Sequence, residues 1–295
     1  MPTILVTGSN GQVGRELQFL SKEHSYEFVF ADRSILDITD SDAVNSLFRK
    51  HQFDYCINCA AYTAVDRAET EVELATKINV DGAKNLAQAS LYNNTFLFHI
   101  STDYVYHNAQ NTPFKEGDAT NPQGVYAQTK LDGDLAAMQI NLATMVIRTS
   151  WVYSSYGNNF VKTILRLGND RDQLSVVFDQ IGTPTYARDL AQTILQALVQ
   201  IEEGKTLRTT CYGVFHFSNE GVTSWYDFAQ AIFKLTKTDC VLAPIESVEY
   251  PTPAKRPPFS VLNKTKIKTT LGISIPHWEE GLQRCLVALG QDISY

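Results

Sequence analysis

The hydrophobic pattern of this chain changes period repeatedly through its first half. Apolar, β-branched runs of five or six residues stand at 3–7, 27–31, 55–59, 95–100 and 144–148. Runs apolar at nearly every position predict strands covered on both faces, as in a parallel sheet. Between them, segments 12–20, 40–50, 71–93 and 124–139 read as helices, with apolar residues three and four apart on one face. Asp40 or Ser41 is the expected cap of the second helix. Strands alternating with helices predict an α/β fold, a doubly wound parallel sheet with right-handed crossovers.

After Trp151 the pattern loosens. Residues 159–167 read as helix, 174–178 as strand and 188–201 as helix, and 214–217 is a short strand that can return to the main sheet. Helices follow around 225–235 and 279–289. Residues 251–258 hold four prolines in eight positions, which excludes regular structure there. The expected division is a larger unit at 1–150 plus about 185–218. A smaller, discontinuous C-terminal unit takes about 151–184 plus 219–295.

Charge and composition remove several function classes. A net charge of -7 with no Lys/Arg cluster argues against a nucleic-acid partner. No run of 18 apolar residues offers a membrane span, and the start, MPTILVTGSNG, reads as a strand entering a glycine loop rather than a signal peptide. Five scattered cysteines fit a reducing, cytoplasmic compartment better than a disulfide framework. Cys56 and Cys59 form a C-x-x-C pair inside an apolar run. An extended strand spreads the two sulfurs, and no second Cys/His pair follows at zinc spacing, so both are expected as small core residues and no metal site is assigned.

The first strand runs into Gly8-Ser9-Asn10-Gly11-Gln12-Val13-Gly14, with G-x-x-G-x-x-G spacing. Glycines there permit a tight turn and close backbone approach, and a pyrophosphate settles on the helix N-terminus that follows. Gly8, Asn10, Gly11, Gln12, Val13 and Gly14 are therefore candidate cofactor residues, and the larger unit is the dinucleotide-binding one. The second strand ends at Asp32, eighteen residues past Gly14, the expected place for a carboxylate on the adenosine ribose. Arg33 follows and suits a 2′-phosphate, so NADH and NADPH both remain open. Asp37 and Ile38 are expected to flank the adenine, or Asp37 serves as a loop or cap residue.

The fourth strand ends at Ser101-Thr102-Asp103, the edge where open α/β sheets bind ligands. Thr102 is a hydrogen-bond donor for a substrate oxygen, or a turn hydroxyl. Tyr126 and Lys130 lie four apart, on one helix face. A free phenol titrates near 10, and an adjacent ammonium lowers that value, which suits proton transfer.

The glycine loop, the strand-end threonine and Y-x-x-x-K together resemble an extended short-chain dehydrogenase/reductase, a Rossmann-like family. The strings NCAAYTAVDRAE, INVDGAKNLA, ISTDYVY, IRTSWVY, GNNFVKTIL, DQIGTPT and PAKRPPFSVLN narrow this, over nearly the whole chain, to the dTDP-4-dehydrorhamnose reductases. Trp151 in RTSWVY separates that group from many epimerase and dehydratase relatives.

The resemblance implies NADPH- or NADH-dependent reduction of the C4 ketone of a dTDP-6-deoxy-4-hexulose, giving dTDP-L-rhamnose. It implies catalytic roles for Tyr126, Lys130 and Thr102, cofactor contacts from Ala61, Tyr62 and Thr63, and sugar-nucleotide contacts from Asp103, Trp151 and Arg256, the last as a diphosphate clamp or a surface arginine. The C-terminal unit becomes the substrate domain, and the assembly a monomer or homodimer. A divalent ion between acidic residues occurs in some relatives. Glu16 is a candidate for it, with a solvated first-helix glutamate as the simpler reading.

The chain departs from the usual pattern at Ala127-Gln128 in the catalytic turn and at His107-Asn108, where His107 reads as an exposed loop residue. Two other readings stay open. One is a related sugar epimerase or reductase, for example one giving 6-deoxy-L-talose. The other is a non-catalytic regulatory subunit like that of methionine adenosyltransferase.

Overall fold

The structure is a computed structural model that describes residues 1–293. Ten elements build the first half: β1 (Thr3–Thr7), α1 (Gln12–Leu20), β2 (Glu27–Ala31), α2 (Ser41–His51), β3 (Tyr55–Asn58), α3 (Val65–Ala68), α4 (Val72–Thr76), α5 (Gly82–Tyr92), β4 (Phe96–Thr102) and α6 (Val125–Ile140). The second half adds β5 (Thr144–Thr149), β6 (Val152–Tyr153), α7 (Phe160–Asp170), β7 (Gln173–Val177), β8 (Ile181–Gly182), β9 (Thr185–Tyr186), α8 (Ala187–Glu202), β10 (Gly213–Phe217), β11 (Thr223–Ser224), α9 (Trp225–Thr236), β12 (Val241–Ile245), α10 (Thr265–Leu271) and α11 (Trp278–Ala288).

Six strands form one sheet in the order β10-β5-β4-β3-β1-β2, and every neighbouring pair is parallel. Chain direction across the sheet reverses between β1 and β3, which opens a crevice beyond their carboxyl ends. Side-chain alternation fills both faces. Ile4 and Val6 turn toward α1 and α8 with Phe96, Phe98 and Phe215. Leu5, Cys56 and Leu97 turn to the other face with Val44, Phe48 and Leu86. Each fully buried phenylalanine contributes on the order of 2–3 kcal/mol. A separate core joins α7, α9, α11 and β7 through Val161, Leu174, Phe228, Leu282 and Leu286.

The expected strands and helices of the first half form, with one change. The helical region expected at 71–93 forms over 72–92 but is not uniform. A π-helical segment, Lys77–Asp81, divides α4 from α5. It places Asn79 so that its side chain accepts from the Tyr62 amide at 2.8 Å and donates to the Tyr62 carbonyl at 3.2 Å and to Thr129 Oγ1 at 3.1 Å. Widened helical turns of this kind are frequent at functional sites. Gly133 of α6 completes the contact, since a Cβ there would lie 2.2 Å from the Asn79 carbonyl oxygen.

In the second half β12 is an element the sequence pattern does not reveal. It pairs with β7 alone, so Pro244 sits at an edge, where a missing N–H is tolerated. The strand β10 does pair with β5, from Gly213↔Met145 to Phe217↔Thr149. The last two residues of the expected C-terminal unit lie outside the described residues. No helix among the described residues is long and apolar enough to cross a membrane.

Candidate active site

A cavity of about 830 Å³ lies against the carboxyl ends of β1 to β5, within the usual size range of ligand sites. Its wall includes Gly8, Asn10 and Gly11 from the first loop with Gln12 and Val13 opening α1, Asp32, Arg33, Asp37 and Ile38 after β2, and Ala61, Tyr62 and Thr63 after β3. Thr102, Asp103, Tyr126, Lys130 and Trp151 complete it.

The glycine end is made by the backbone. Gly8 has φ +60°, and a Cβ there would lie 2.6 Å from the Ala60 amide nitrogen. Gly14 lies behind the wall, where a Cβ would meet Ser9 Cα at 2.6 Å. These glycines let β1, the loop and β3 close on one another. The first turn of α1 has neither a side-chain cap nor an acidic residue, so its amides and dipole favour an anion. The chemistry of this wall fits a dinucleotide.

Asp32 is held from both sides. Its Oδ1 accepts from Ser34 N at 2.8 Å and Ser34 Oγ at 2.6 Å, and its Oδ2 accepts from Asn10 Nδ2 at 2.5 Å. These bonds, the two from Ser34 above all, hold its carboxyl below the ordinary value. Arg33 is exposed and lies 3.7 Å from Asp37. Asp37 accepts from Thr39 N at 2.9 Å and Thr39 Oγ1 at 2.8 Å, so it closes a local turn while lining the cavity.

The chemistry end is made of buried polar side chains. Lys130 is buried, and its Nζ donates to the Ile100 carbonyl at 2.8 Å. Thr102 Oγ1 donates to Asp103 Oδ1 at 3.2 Å and accepts from the Tyr104 amide at 3.2 Å. Tyr126 packs edge-on against Tyr104 at 5.6 Å between ring centroids. Burial pushes the Tyr126 phenol up to about 12, against the lowering influence of the nearby Thr102 hydroxyl. The lysine next to it does not govern that shift, contrary to the simple reading of Y-x-x-x-K, because desolvation of the phenolate outweighs other influences. Asp103 is 1% exposed, and burial pushes its carboxyl up to about 7. Its Oδ2 is buried without a hydrogen-bond partner.

Three other sequence readings change. Arg256 does not line the cavity. Its guanidinium grips Asp66, Nη2 to Oδ2 at 2.9 Å and Nη1 to Oδ1 at 3.2 Å, which ties the proline-rich segment to α3. Glu16 is not solvated but fully buried, accepting from Ser154 Oγ at 2.6 Å and Arg188 Nε at 2.8 Å. Two donors already satisfy it, and no group of three metal-capable side chains exists among the described residues. His107 is half-buried rather than exposed. Its carbonyl accepts from Asn121 Nδ2 at 2.9 Å, and Asn108 Nδ2 donates to the Ala119 carbonyl at 2.6 Å, so the divergent loop is pinned. Cys56 is buried in β3, while Cys59 lies just past it on the cavity wall.

The RmlD substrate binding domain family model matches residues 2–290. A dTDP-4-dehydrorhamnose reductase from Aggregatibacter actinomycetemcomitans is 41% identical over 96% of this chain and 98% of its own length. The chain belongs to the dTDP-4-dehydrorhamnose reductase family. Among solved structures, the reductase of this name from Clostridium acetobutylicum superposes with a TM-score of 0.92 at 42% identity, covering 98% of this chain and 100% of that one. The Bacillus anthracis reductase, crystallised in complex with NADP, gives 0.92 at 36% identity, covering 98% and 100%. A UDP-glucose 4-epimerase from Brucella ovis shares the fold alone, with a TM-score of 0.82 at 18% identity over 100% of both chains.

Within this reductase-family chain, the cavity wall includes residues that the motifs alone do not single out. Leu36, Ile78 and Tyr104 are apolar or aromatic neighbours brought in by tertiary packing. Gly157 and Asn158 lie on the wall, and their signal was the string GNNFVKTIL. The neighbouring Asn159 donates to Gln12 Oε1 at 2.9 Å, and Gln12 Nε2 donates to the Val152 carbonyl at 3.3 Å, so Gln12, the first residue of α1, ties the two halves together. Glu69 serves the start of α6, where its Oε1 accepts from the Val125 amide at 2.8 Å. No pattern in the sequence pairs residues so far apart.

Proposed function

We propose that the chain reduces the C4 ketone of dTDP-4-dehydro-6-deoxy-L-mannose (dTDP-4-dehydrorhamnose) to dTDP-L-rhamnose, using NADPH or NADH. The observation that carries this reading is that Thr102, Tyr126 and Lys130 line the same cavity as the glycine loop. The reduced nicotinamide, when bound, supplies the hydride. The glycine loop and the first turn of α1, Gly8 to Val13, hold the pyrophosphate on backbone amides, and Asp32 or Arg33 meets the adenosine ribose.

Tyr126 donates its proton to the developing C4 alkoxide. A phenol pushed up to about 12 stays protonated at neutral pH, the form a donor requires. Thr102 hydrogen-bonds the carbonyl oxygen and stabilises its growing charge. Lys130 holds a buried positive charge beside that oxygen and reaches the nicotinamide ribose. Asp103 and Trp151 contact the sugar. Arg256 reaches the diphosphate only by exchanging Asp66 for it. The units at 1–150 plus about 185–218 and at about 151–184 plus 219–295 divide cofactor from sugar-nucleotide binding.

The test is stopped-flow NADPH oxidation with dTDP-4-dehydrorhamnose for wild type and Tyr126→Phe. The expected loss in kcat is about a thousandfold. A loss under tenfold removes Tyr126 from the acid role.

A further inference from the structure

We propose that Trp225, outside the cavity, is a positioning residue that holds the Trp151 indole as a flat platform for the hexose ring of the substrate. The inference rests on the sugar-nucleotide reading of the site.

Trp151 has φ +47°. A bulky residue in the left-handed region persists only where its surroundings over-determine it. Four contacts, three from residues 182–185 and one from Trp225, do so. The Thr185 amide donates to the Trp151 carbonyl at 3.1 Å. Ser150 Oγ, one residue before, donates to the Thr183 carbonyl at 2.7 Å. Gly182 leaves room for the ring, since a Cβ there would lie 2.6 Å from the indole Cε2. Trp225 stacks on Trp151 with ring centroids 3.6 Å apart and planes 7° from parallel.

Trp225 is itself fixed. It is the first residue of α9, whose cap Ser224 accepts from the Asp227 amide at 3.0 Å. The β8–β11 pairing sets Gly182 opposite Thr223, two residues before Trp225. Phe160 backs the second indole at 4.6 Å. Trp151 lines the cavity and Trp225 does not. Any effect of Trp225 on the substrate therefore passes through the plane of Trp151. Trp151 follows β5, whose Thr149 pairs with Thr102 of β4, and β5 lies four strands across the sheet from β2, after which Asp32 and Arg33 stand. The ligand surface the Trp151 plane suits is the apolar C–H face of a sugar, not the adenosine.

The experiment uses the full chain as wild type, Trp225→Ala, Trp225→Phe and Trp278→Phe. Circular dichroism reads the exciton couplet of two stacked indoles. The couplet is expected in wild type and Trp278→Phe and lost in both Trp225 variants. A couplet that survives Trp225→Phe overturns the stack. Kinetics with NADPH and dTDP-4-dehydrorhamnose then read the role. Trp225→Ala is expected to raise KM for the sugar about tenfold, with the NADPH Kd within about twofold, because a displaced platform misplaces the ring. Trp225→Phe keeps an aromatic face and is expected within about threefold of wild type.

An unchanged sugar KM in Trp225→Ala overturns the proposal while leaving the function standing. Equal losses of sugar and NADPH binding also overturn it, making Trp225 a general fold residue. A wild type that oxidises no NADPH with this sugar sinks the function, and the platform with it.

Discussion

Asp32 and Asp103 stand at the two ends of one cavity, and their surroundings shift them in opposite directions. Asp32 is half-buried at the cavity rim and collects hydrogen bonds from Ser34 and Asn10, so its carboxyl lies below the ordinary range. Asp103 is sealed among packed side chains, so burial raises its carboxyl to about 7. The contrast extends to the rest of each end. The cofactor end is shaped by glycines and backbone amides, and what it controls is fit. The chemistry end is shaped by buried polar side chains, and what it controls is charge and proton position. Substitutions at the first are expected to act on affinity, and at the second on rate.

The sharpest contrast pairs Tyr126→Phe with Gly8→Ala. The first is expected to lower kcat about a thousandfold with NADPH affinity within about threefold. The second is expected to weaken NADPH binding about a hundredfold, because the new Cβ would meet the Ala60 amide at 2.6 Å in a left-handed conformation. Titration of cofactor fluorescence alongside steady-state rates checks both. A Gly8→Ala enzyme that binds NADPH normally and turns over slowly would erase the distinction.

A smaller effect is expected from Asp32→Ala. It frees Asn10 and removes a negative charge beside Arg33, so the ratio of kcat/KM for NADPH over NADH is expected to rise about tenfold. Competition between the two cofactors measures it, and an unchanged ratio would mean that Asp32 only shapes its own turn.

The last effect concerns stability rather than binding or rate, and it depends on pH. Asp103 binds its proton more tightly in the folded than in the unfolded chain. Its contribution to stability is therefore present below about pH 4 and lost as pH rises through about 7. Burial lowers His216 to about 3, which works in the opposite sense as pH falls from about 6.5. The difference between wild type and Asp103→Asn isolates the first group. That difference in unfolding free energy is expected to move against wild type by up to about 1.4 kcal/mol per pH unit across this window. Urea denaturation at stepped pH reads it, and a pH-independent difference would remove Asp103 as a proton holder.

What could be read in the sequence divides along similar lines. The central strands were legible because burial on both faces leaves unbroken apolar runs such as Ile4-Leu5-Val6, and the loop after β1 was legible because glycine spacing is a local signal. The edge strand β12 was not, since Pro244 and a single partner leave no clean period. The π turn at Lys77–Asp81 was not either, because it is held by the meeting of Asn79 with Tyr62 and Thr129. Glu16 illustrates the general limit. A glutamate on a first helix looks solvated until Ser154 and Arg188 arrive from remote positions to bury it. The Arg256–Asp66 pair and the Trp151–Trp225 stack are likewise tertiary facts.

Product analysis tests the C4 reduction itself. Wild-type protein with NADPH and dTDP-4-dehydrorhamnose is followed by absorbance, and the sugar is then assigned by NMR. One NADPH oxidised per sugar reduced, with dTDP-L-rhamnose as the product, is expected. NADPH left unoxidised, or a product with the 6-deoxy-L-talose configuration at C4, would contradict that expectation.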